Sequence, residues 1–363
     1  MRNFELEVSA PGRLCLFGEH QDYFGLSIIA AAINLRITIS GKKRKDKKFK
    51  IRKPDIGEED EFFLEKELPY LQERDYLRSA INIIQREGIH LSSGWNCLLR
   101  GNIPINSGSA SSSALVVAWI KFLLEAHGSL KHFTPEKIAE LGFLAEVAEF
   151  KEPGGKMDHY SSSLGGVLSI HFDENLRFKK LKNPLKEFVL ADSLQKKDTT
   201  GMLGYIKSHV LRGVTSINQR IKDFNLKSPL TPEVRQEIEK LPSEEKRLLH
   251  GTLLTRDLTK KGENLFESAE FDHARFGQLL SLQQAVLRDY LHISTPKIEE
   301  MIESSLQAGA FGAKINGSGG GGCIFAYTPE SAEKVAEALQ KLGARTYIIR
   351  VDEGVRIESQ KSI

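Results

Sequence analysis

A loop of small residues that opens into an apolar helix constrains the fold of this 363-residue chain more than any other feature. Residues 104–114 read PINSGSASSSA, and an almost wholly apolar run follows over residues 115–126. A helix that is apolar all round has to be buried, so the rest of the chain has to pack around it. The loop also puts small residues at the helix start, where free backbone N–H groups and the helix dipole attract phosphate.

The alternative to a phosphate loop is a simple helix N-cap, and one serine is enough for that. Five serines within the seven positions 107–113 exceed the need of a cap. The hydroxyls of Ser111 and Ser112 could also bind Mg²⁺. The loop is not a Walker A loop, because the ending Gly-Lys-Ser/Thr is missing.

The composition excludes several classes of protein. The chain is 40% apolar and 27% charged with a formal net charge of +3, so it lacks the basic field that drives nonspecific nucleic-acid binding. Three cysteines lie far apart without CxxC spacing, which predicts free thiols at Cys15, Cys97 and Cys323. No stretch approaches the roughly 18 to 20 apolar residues that span a bilayer. We therefore expect a soluble, cytoplasmic protein with no nucleic-acid or membrane partner.

The pattern of apolar residues predicts an α+β protein rather than a regular βαβ alternation. The composition turns helical over residues 201–306. We place a domain boundary within residues 180–195, which gives an N-terminal domain of residues 1–190 and a C-terminal domain of residues 191–363. Strand-like runs occupy residues 26–39, 95–99, 166–172, 323–327 and 346–351.

One short segment is strongly basic. Residues 41–53 read GKKRKDKKFKIRK and hold nine lysines and arginines. A nucleic-acid contact is one interpretation. The favoured one is a solvated hairpin turn, because the segment lies between two strand-like runs and holds only Phe49 and Ile51 as apolar residues.

A polar turn follows a strand-like run near the N-terminus. Residues 9–23 read SAPGRLCLFGEHQDY, so Arg13 precedes a turn that holds Glu19, His20 and Asp22. Carboxylates accept hydrogen bonds from hydroxyls in fixed directions, so this set suits a polyhydroxy ligand. The alternative is a surface turn with capping carboxylates.

A glycine cluster lies near the C-terminus. Residues 314–323 read KINGSGGGGC, and five glycines in six positions let the backbone approach a ligand or another loop closely. A dinucleotide-binding fingerprint needs a strand before it and a helix after it. The sequence predicts a helix before this loop and a strand after it, so we reject that interpretation.

The fourth candidate segment lies between the serine loop and the glycine cluster. The spacing of apolar residues predicts a helix over residues 134–150. The helix has to stop before Pro153, and the glycine-rich turn that follows presents Asp158. An acid at such a turn is a candidate catalytic base.

These four segments, taken in chain order, resemble the GHMP kinase superfamily and within it the galactokinase branch. The matches are Gly12-Arg13 with Gly18-Glu-His-Gln-Asp-Tyr23, then Pro104 with the serine loop, Gly155-Lys-Met-Asp-His159, and Lys314 with the glycine cluster. The resemblance covers nearly the whole chain and is weakest over residues 40–90 and 200–265. It implies a two-domain fold, with an N-terminal ribosomal-protein-S5-like α/β domain, a C-terminal ferredoxin-like α+β domain and an active site in the cleft between them.

The resemblance also implies a reaction and a set of site residues. The reaction is galactokinase-type phosphorylation of a monosaccharide at its anomeric hydroxyl, with ATP and Mg²⁺ as cofactors. Asp158 is the implied base with Arg13 as its partner, and Ser112 and Glu146 are the implied metal ligands. The implied sugar contacts are Glu19, His20, Asp22 and Gly155. The implied ATP contacts are Ser107, Gly108, Ser109, Ala110, Ser111, Ser112, Gly317 and Gly319.

The choice of substrate depends on a few residues. Mevalonate kinases share Gly-Glu-His but do not normally continue with x-Asp-Tyr, so Asp22 and Tyr23 favour a sugar. His159 replaces the usual glutamine, and Lys156 adds a cation that could suit an acidic sugar such as a uronic acid. An N-acetylhexosamine, mevalonate and a non-catalytic sugar sensor are the remaining alternatives. We expect a monomer or weak dimer.

Overall fold

The computed structural model describes residues 4–105, 107–172, 176–196 and 199–361. The strands are β1 (Leu6–Phe17), β2 (Ile28–Lys43), β3 (Lys48–Lys53), β4 (Glu58–Phe63), β5 (Trp95–Gly101), β6 (Val167–Phe172), β7 (Leu176–Leu181), β8 (Phe188–Asp192), β9 (Gly312–Ile315), β10 (Cys323–Tyr327), β11 (Arg345–Ile349) and β12 (Arg356–Gln360). The helices are α1 (Tyr76–Arg86), α2 (Ser111–Ala126), α3 (Pro135–Phe143), α4 (Met157–Leu164), α5 (Thr199–Asn218), α6 (Pro232–Glu239), α7 (Ser243–Phe266), α8 (His273–Asp289), α9 (Pro296–Gln307) and α10 (Ala332–Lys341).

The described strands form two sheets. The larger sheet has the order β12-β1-β2-β5-β3-β4, and β6 and β7 extend it from the first residues of β2. The smaller sheet has the order β11-β8-β10-β9 with all neighbours antiparallel. Helices and strands are therefore mixed in both halves, and the predicted α+β class is confirmed. The chain enters the smaller sheet at Phe188 and returns to the larger one at Arg356, and a domain boundary at residue 190 stays a prediction.

Helix α2 is the centre of the core of the larger unit. It contacts β1 and β2 on one side and α1, α3 and α4 on the others. Trp119 and Phe122 stack with ring centroids 5.6 Å apart, and Trp95 of β5 packs against the edge of Phe122. The Trp119 indole N–H donates to the Leu77 carbonyl at 3.1 Å, so this buried polar group is satisfied. Burial of α2 fixes the position of its first turn, which begins at Ser111.

The predicted helix over residues 134–150 is interrupted. Thr134 caps α3, and its side chain accepts from the Lys137 N–H. The α-helical geometry ends at Phe143, and a π-helical turn follows over Leu144–Ala148. A π turn holds one more residue per hydrogen-bonded ring than an α turn, so side chains beyond it point elsewhere than a continuous helix would direct them.

The basic segment runs through the end of β2, a short bend over residues 44–47 and all of β3, and it is not a hairpin. Strands β2 and β3 are not paired with each other, because β5 lies between them. The cations of β3 face the acids of β4, with ion pairs from Lys48 to Glu61 and from Lys53 to Glu58. Neighbouring carboxylates thus offset the positive charge of this segment.

The glycine cluster near the C-terminus connects two strands. The sequence predicted a helix before the loop, but the short strand β9 precedes it and β10 follows it antiparallel. The expected helix was wrong because the four-residue run Gly312–Ile315 is too short for a periodicity to appear. The rejection of a dinucleotide fingerprint stands, because the described loop does not lead into a helix. Within the described ranges, none of the helices combines the length and apolar character needed to cross a membrane.

Candidate active site

A cavity lies where four segments meet: the serine loop, the polar turn after β1, the segment before α4 and the glycine loop. It brings together most of the residues that the sequence singled out. They are Arg13, Glu19, His20, Asp22, Ser107, Gly108, Ala110, Ser111, Ser112, Glu146, Gly155, Asp158 and Gly317.

Ser109 and Gly319, which were also predicted to contact ATP, support the loops from behind. The Ser109 carbonyl accepts from the Arg13 N–H at 3.2 Å, and its hydroxyl accepts from Asn316 Nδ2 at 3.3 Å. Gly319 backs onto Ile293, where a Cβ would lie 2.6 Å from the Ile293 Cβ. The described structure does not place either residue at the cavity wall.

Arg13 and Asp158 form an ion pair at the cavity wall. The distance from Arg13 Nε to Asp158 Oδ1 is 2.7 Å, and the guanidinium also donates to the Gly108 carbonyl. Burial of Arg13 opposes its charge, but Asp158, together with Cys15 and Glu19, raises the pKa of Arg13 above its ordinary value. Arg13 is 4% exposed and Asp158 30%, so the carboxylate is the partner that a ligand can reach.

Asp22 is held by backbone groups. Its carboxylate accepts from the N–H of Tyr23 at 2.9 Å and from the N–H of Met157 at 3.2 Å. It fits against Gly155, where a Cβ would lie 2.0 Å from Asp22 Oδ2. Burial and then the charge of Asp158 raise the pKa of Asp22 above its ordinary value, and the two N–H groups limit that rise.

Glu19 forms a buried ion pair with Lys314, which comes from β9 at the start of the glycine loop. Glu19 Oε1 contacts the ammonium, and both side chains are fully buried. Among the described residues, Oε2 of Glu19 has no hydrogen-bond partner. A buried carboxylate oxygen without a donor costs free energy.

His20 connects the polar turn to the glycine loop. Its Nε2 lies 3.0 Å from the Ser318 carbonyl and its Nδ1 lies 2.7 Å from the Tyr23 hydroxyl. A carbonyl only accepts, so Nε2 carries the proton and Nδ1 accepts from Tyr23. Both nitrogens have protein partners, so a direct contact of His20 with a ligand stays a prediction that needs one of these bonds to break.

The serine loop presents the start of α2 to the cavity. The N-cap is Ala110 in the left-handed conformation, and no side chain caps the first turn. The simple N-cap that the sequence left open is therefore absent from the described loop. Gly317 fits against it, since a Cβ there would lie 2.8 Å from the Gly108 carbonyl oxygen. The Cys323 N–H donates to the Ser107 carbonyl at 2.8 Å, so the two loops are fixed to each other.

Glu146 lies in the π-helical turn and faces the cavity. Its Oε2 accepts from His159 Nε2 at 2.7 Å. Burial opposes its ionisation, but the His159 hydrogen bond, with help from Ser112 and Ser113, keeps the pKa of Glu146 below its ordinary value. A negative carboxylate and a serine hydroxyl thus stand side by side at the start of α2.

Three family comparisons match this chain. The GHMP kinases N terminal domain matches residues 75–166, and the GHMP kinases C terminal family matches residues 256–345. The galactokinase galactose-binding signature matches residues 3–43. The mevalonate kinase of Thermococcus gammatolerans is 30% identical over 363 residues, covering 97% of this chain and 98% of the relative. The chain belongs to the GHMP kinase family.

The relatives of this GHMP kinase include two kinds of enzyme. The galactokinase of Actinobacillus succinogenes is 27% identical, covering 94% of this chain and 89% of the relative. Lactococcus lactis galactokinase, solved with galactose, superposes with a TM-score of 0.84 at 20% identity, covering 97% and 94% of the two chains. The mevalonate kinase of Methanococcus jannaschii superposes with a TM-score of 0.73 at 21% identity, covering 97% and 100%. The two-domain GHMP kinase fold that the sequence predicted is confirmed.

GHMP kinases use ATP, and the site of this GHMP kinase has features that fit a nucleotide with its cation. The uncapped first turn of α2 and the glycine backbone around it suit phosphate groups. Among the described residues, no cluster of three or more His, Cys, Asp or Glu side chains could hold a metal ion alone. Glu146 and Ser112 are oxygen donors of the kind Mg²⁺ prefers, and Mg²⁺ usually completes its shell with phosphate oxygens and water.

One group of cavity residues in this GHMP kinase was not predicted from the sequence. Arg74, Tyr76 and Glu152 line the cavity, with Arg74 Nε 2.7 Å from Glu152 Oε1 and the Tyr76 hydroxyl donating to the same oxygen at 3.2 Å. Arg74 and Tyr76 lie at the start of α1, within the stretch where the family resemblance is weakest. The sequence signal there is Asp75, whose carboxylate caps α1, and it marks a helix start rather than a site.

Lys156, which the sequence singled out as an added cation, is directed elsewhere. Its Nζ lies over the Phe143 ring, 5.2 Å from the centroid, and it does not line the cavity. His159 lies beside Glu146 in the protein interior. Lys156 therefore adds no charge to the cavity wall. His159, the other departure from the family pattern, contacts the Glu146 carboxylate.

Proposed function

We propose that this GHMP kinase transfers the γ-phosphoryl group of ATP to the anomeric hydroxyl of a neutral monosaccharide, giving ADP and a sugar 1-phosphate as a galactokinase does. The observation that carries the proposal is the setting of Asp22. Its carboxylate faces the cavity and is held by two backbone N–H groups, and no cation of the described residues forms an ion pair with it. Such a carboxylate can accept hydrogen bonds from ligand hydroxyls in a fixed direction.

The charges around the cavity support a neutral substrate. Among the described residues that line it, Arg13 is paired with Asp158 and Arg74 with Glu152. Lys314 is paired with Glu19 behind the wall. These pairs leave no cation uncommitted at the described wall, while Asp22 and Glu146 add negative charge. A carboxylate substrate such as a uronic acid or mevalonate would face repulsion there.

Each of the cavity residues has a separate role in the proposed reaction. Asp158 accepts the proton of the attacking hydroxyl, whose oxygen forms the new bond to the γ-phosphorus as the bond to the β–γ bridging oxygen breaks. Arg13 stabilises negative charge on the attacking oxygen. The start of α2 would hold the phosphates, and Ser112 and Glu146 would hold Mg²⁺. When bound, Mg²⁺ offsets charge on the β- and γ-phosphate oxygens.

The second candidate is a mevalonate kinase, because relatives with that name reach 29–30% identity over nearly the whole chain. A substrate panel separates the two functions. ADP release is measured with neutral hexoses, N-acetylhexosamines, uronic acids and mevalonate at a fixed Mg·ATP concentration, and ³¹P NMR identifies the product. We expect a neutral sugar to give the highest kcat/KM and a 1-phosphate. Preference for mevalonate would overturn the proposal, and sugar-dependent ATP binding without turnover on any substrate would identify a sensor.

A further inference from the structure

The side chain of His159 is buried and closely packed, with its Nε2 on Glu146 and, among the described residues, no partner on its Nδ1. It is 1% exposed, and its ring meets the edge of Phe143 with centroids 6.0 Å apart. Gly142 of α3 leaves the space beside it, because a Cβ there would lie 3.1 Å from His159 Cδ2. The ring is therefore confined from two sides by α3, and it cannot turn away from Glu146 without repacking.

The contact to Glu146 uses one carboxylate oxygen. His159 Nε2 donates to Oε2 at 2.7 Å, and Glu146 is 6% exposed. The π-helical turn supplies the backbone position of this residue, and the imidazole fixes the rotation of its carboxylate. With Oε2 engaged by His159, Ser112 and Ser113 are the hydroxyls that approach the carboxylate from the start of α2.

We propose that His159 is a positioning residue that makes Glu146 a one-oxygen ligand and so sets the preference of the site for Mg²⁺ over Ca²⁺. The inference rests on the proposed function in one respect, the assignment of Glu146 to the cation. Mg²⁺ requires a compact octahedral shell, whereas Ca²⁺ accepts six to eight ligands and often takes both oxygens of a carboxylate. A carboxylate with one oxygen already engaged suits the smaller ion.

The test compares His159→Gln, which keeps an N–H donor, with His159→Leu, which removes it. Mn²⁺ bound to the enzyme·ADP complex is followed by electron paramagnetic resonance, and Mg²⁺ and Ca²⁺ are titrated as competitors. Loss of a hydrogen bond that orients a metal ligand costs about 10- to 100-fold in metal affinity. We expect the Leu variant to lose that much Mg²⁺ affinity and much less Ca²⁺ affinity, and the Gln variant to stay within about three-fold of the native chain for both ions.

A structural effect of the substitution would lower the affinity for both ions equally, and that result, or no change in either affinity, would overturn the proposal. His171→Leu is the matched control, since His171 Nε2 lies 2.8 Å from Glu263 Oε1 and neither residue lines the cavity. It should leave both metal affinities unchanged. If His159→Leu does not fold, His159→Met repeats the comparison with an unbranched side chain.

Glu146→Gln separates this inference from the proposed function. If that variant keeps its Mg²⁺ affinity, Glu146 is not a ligand and the metal assignment fails whatever the sugar panel gives. If it loses Mg²⁺ affinity while His159→Leu does not, the assignment stands and the positioning role of His159 is wrong. None of these measurements needs the sugar substrate.

Discussion

The Asp22 carboxylate occupies the space that a Cβ on Gly155 would fill, although the two residues lie far apart in the sequence. Each was identified from its own motif. The sequence could not show that the Asp22 carboxylate occupies the space of a missing Cβ on Gly155, because no local pattern encodes a contact between distant segments. The same reason explains why Arg74 was missed and why the Glu146–His159 bond was not foreseen.

A side chain at Gly155 would displace the Asp22 carboxylate, and this effect can be tested. Gly155→Ala should push the Asp22 carboxylate out of place and lower kcat/KM for the sugar by about 10-fold or more, since small displacements of positioning groups are costly. The KM for ATP should stay within about two-fold, because the α2 loop is untouched.

Gly154→Ala is the control, because a Cβ there would meet only Val147 at 3.5 Å, an ordinary contact. Steady-state kinetics with sugar and ATP varied separately measures both variants. Equal loss of sugar kcat/KM in the two variants would mean that the effect comes from the turn and not from Asp22.

Asp158 carries the prediction about the chemical step. Asp158→Asn keeps the size of the side chain and an acceptor for Arg13, but it removes the base, so kcat should fall by roughly 10²-fold or more. Calorimetric titration should give sugar and ADP affinities within about three-fold of the native chain. Near-normal turnover in a folded Asp158→Asn variant would show that the proton leaves by another route.

Helices and strands with a strong apolar pattern were predicted from the sequence, whereas a local change from α- to π-helical geometry was not. The strand before the polar turn, the buried helix α2 and strand β10 were all predicted, because each is a long or strongly apolar run. The π-helical turn Leu144–Ala148 was missed since one extra residue in a turn leaves the apolar pattern of α3 intact. That turn is nevertheless the element that brings Glu146 to the cavity.

The serine loop carries a prediction at this scale. Gly108 has φ +89°, a left-handed conformation, and it lies at the start of α2 beside the cavity. Gly108→Ala should cost about 1 to 2 kcal/mol of stability from the backbone. It should also raise the KM for ATP about 10-fold, since a side chain would keep the phosphates away from the backbone.

Gly88→Ala is the control, because it introduces a similar backbone strain at a position that does not line the cavity. Gly88 has φ +85°, and a Cβ there meets nothing within 4 Å. Chemical denaturation should give similar losses of unfolding free energy for both variants, and only Gly108→Ala should change the KM for ATP. A native KM in the folded Gly108 variant would remove the case for phosphate at this loop.

The chain leaves the larger sheet for the smaller one and returns to it at β12, and composition does not predict this path. The sequence predicted a strand-rich C-terminal end, but strand pairing over such separations depends on long-range contacts. The last described strand, β12, pairs with β1 at the N-terminus, so Leu6 lies opposite Gln360. The end of the chain thus completes the larger sheet, while the preceding segment belongs to the smaller one.

Arg36 on β2 secures this closure. Its guanidinium donates to the Ser9 hydroxyl at 2.7 Å, to Asp352 Oδ2 at 2.8 Å and to the carbonyl of Gly354 at 2.7 Å. It is 10% exposed on its side chain, so water screens these bonds weakly. A planar guanidinium can serve such divergent acceptors at once, and a lysine ammonium cannot reproduce that geometry.

Arg36→Ala should therefore lower the free energy of unfolding by about 2 to 3 kcal/mol, because hydrogen bonds to a charged group are lost and the acceptors of the C-terminal segment keep no replacement. Arg36→Lys should recover less than about half of that loss. The KM values for ATP and sugar should stay within about two-fold in both variants, since Arg36 does not line the cavity. Urea denaturation and steady-state kinetics measure the two effects separately. A stability loss below about 0.5 kcal/mol, in the range of ordinary surface substitutions, would mean that β12 holds the larger sheet closed through its strand pairing alone.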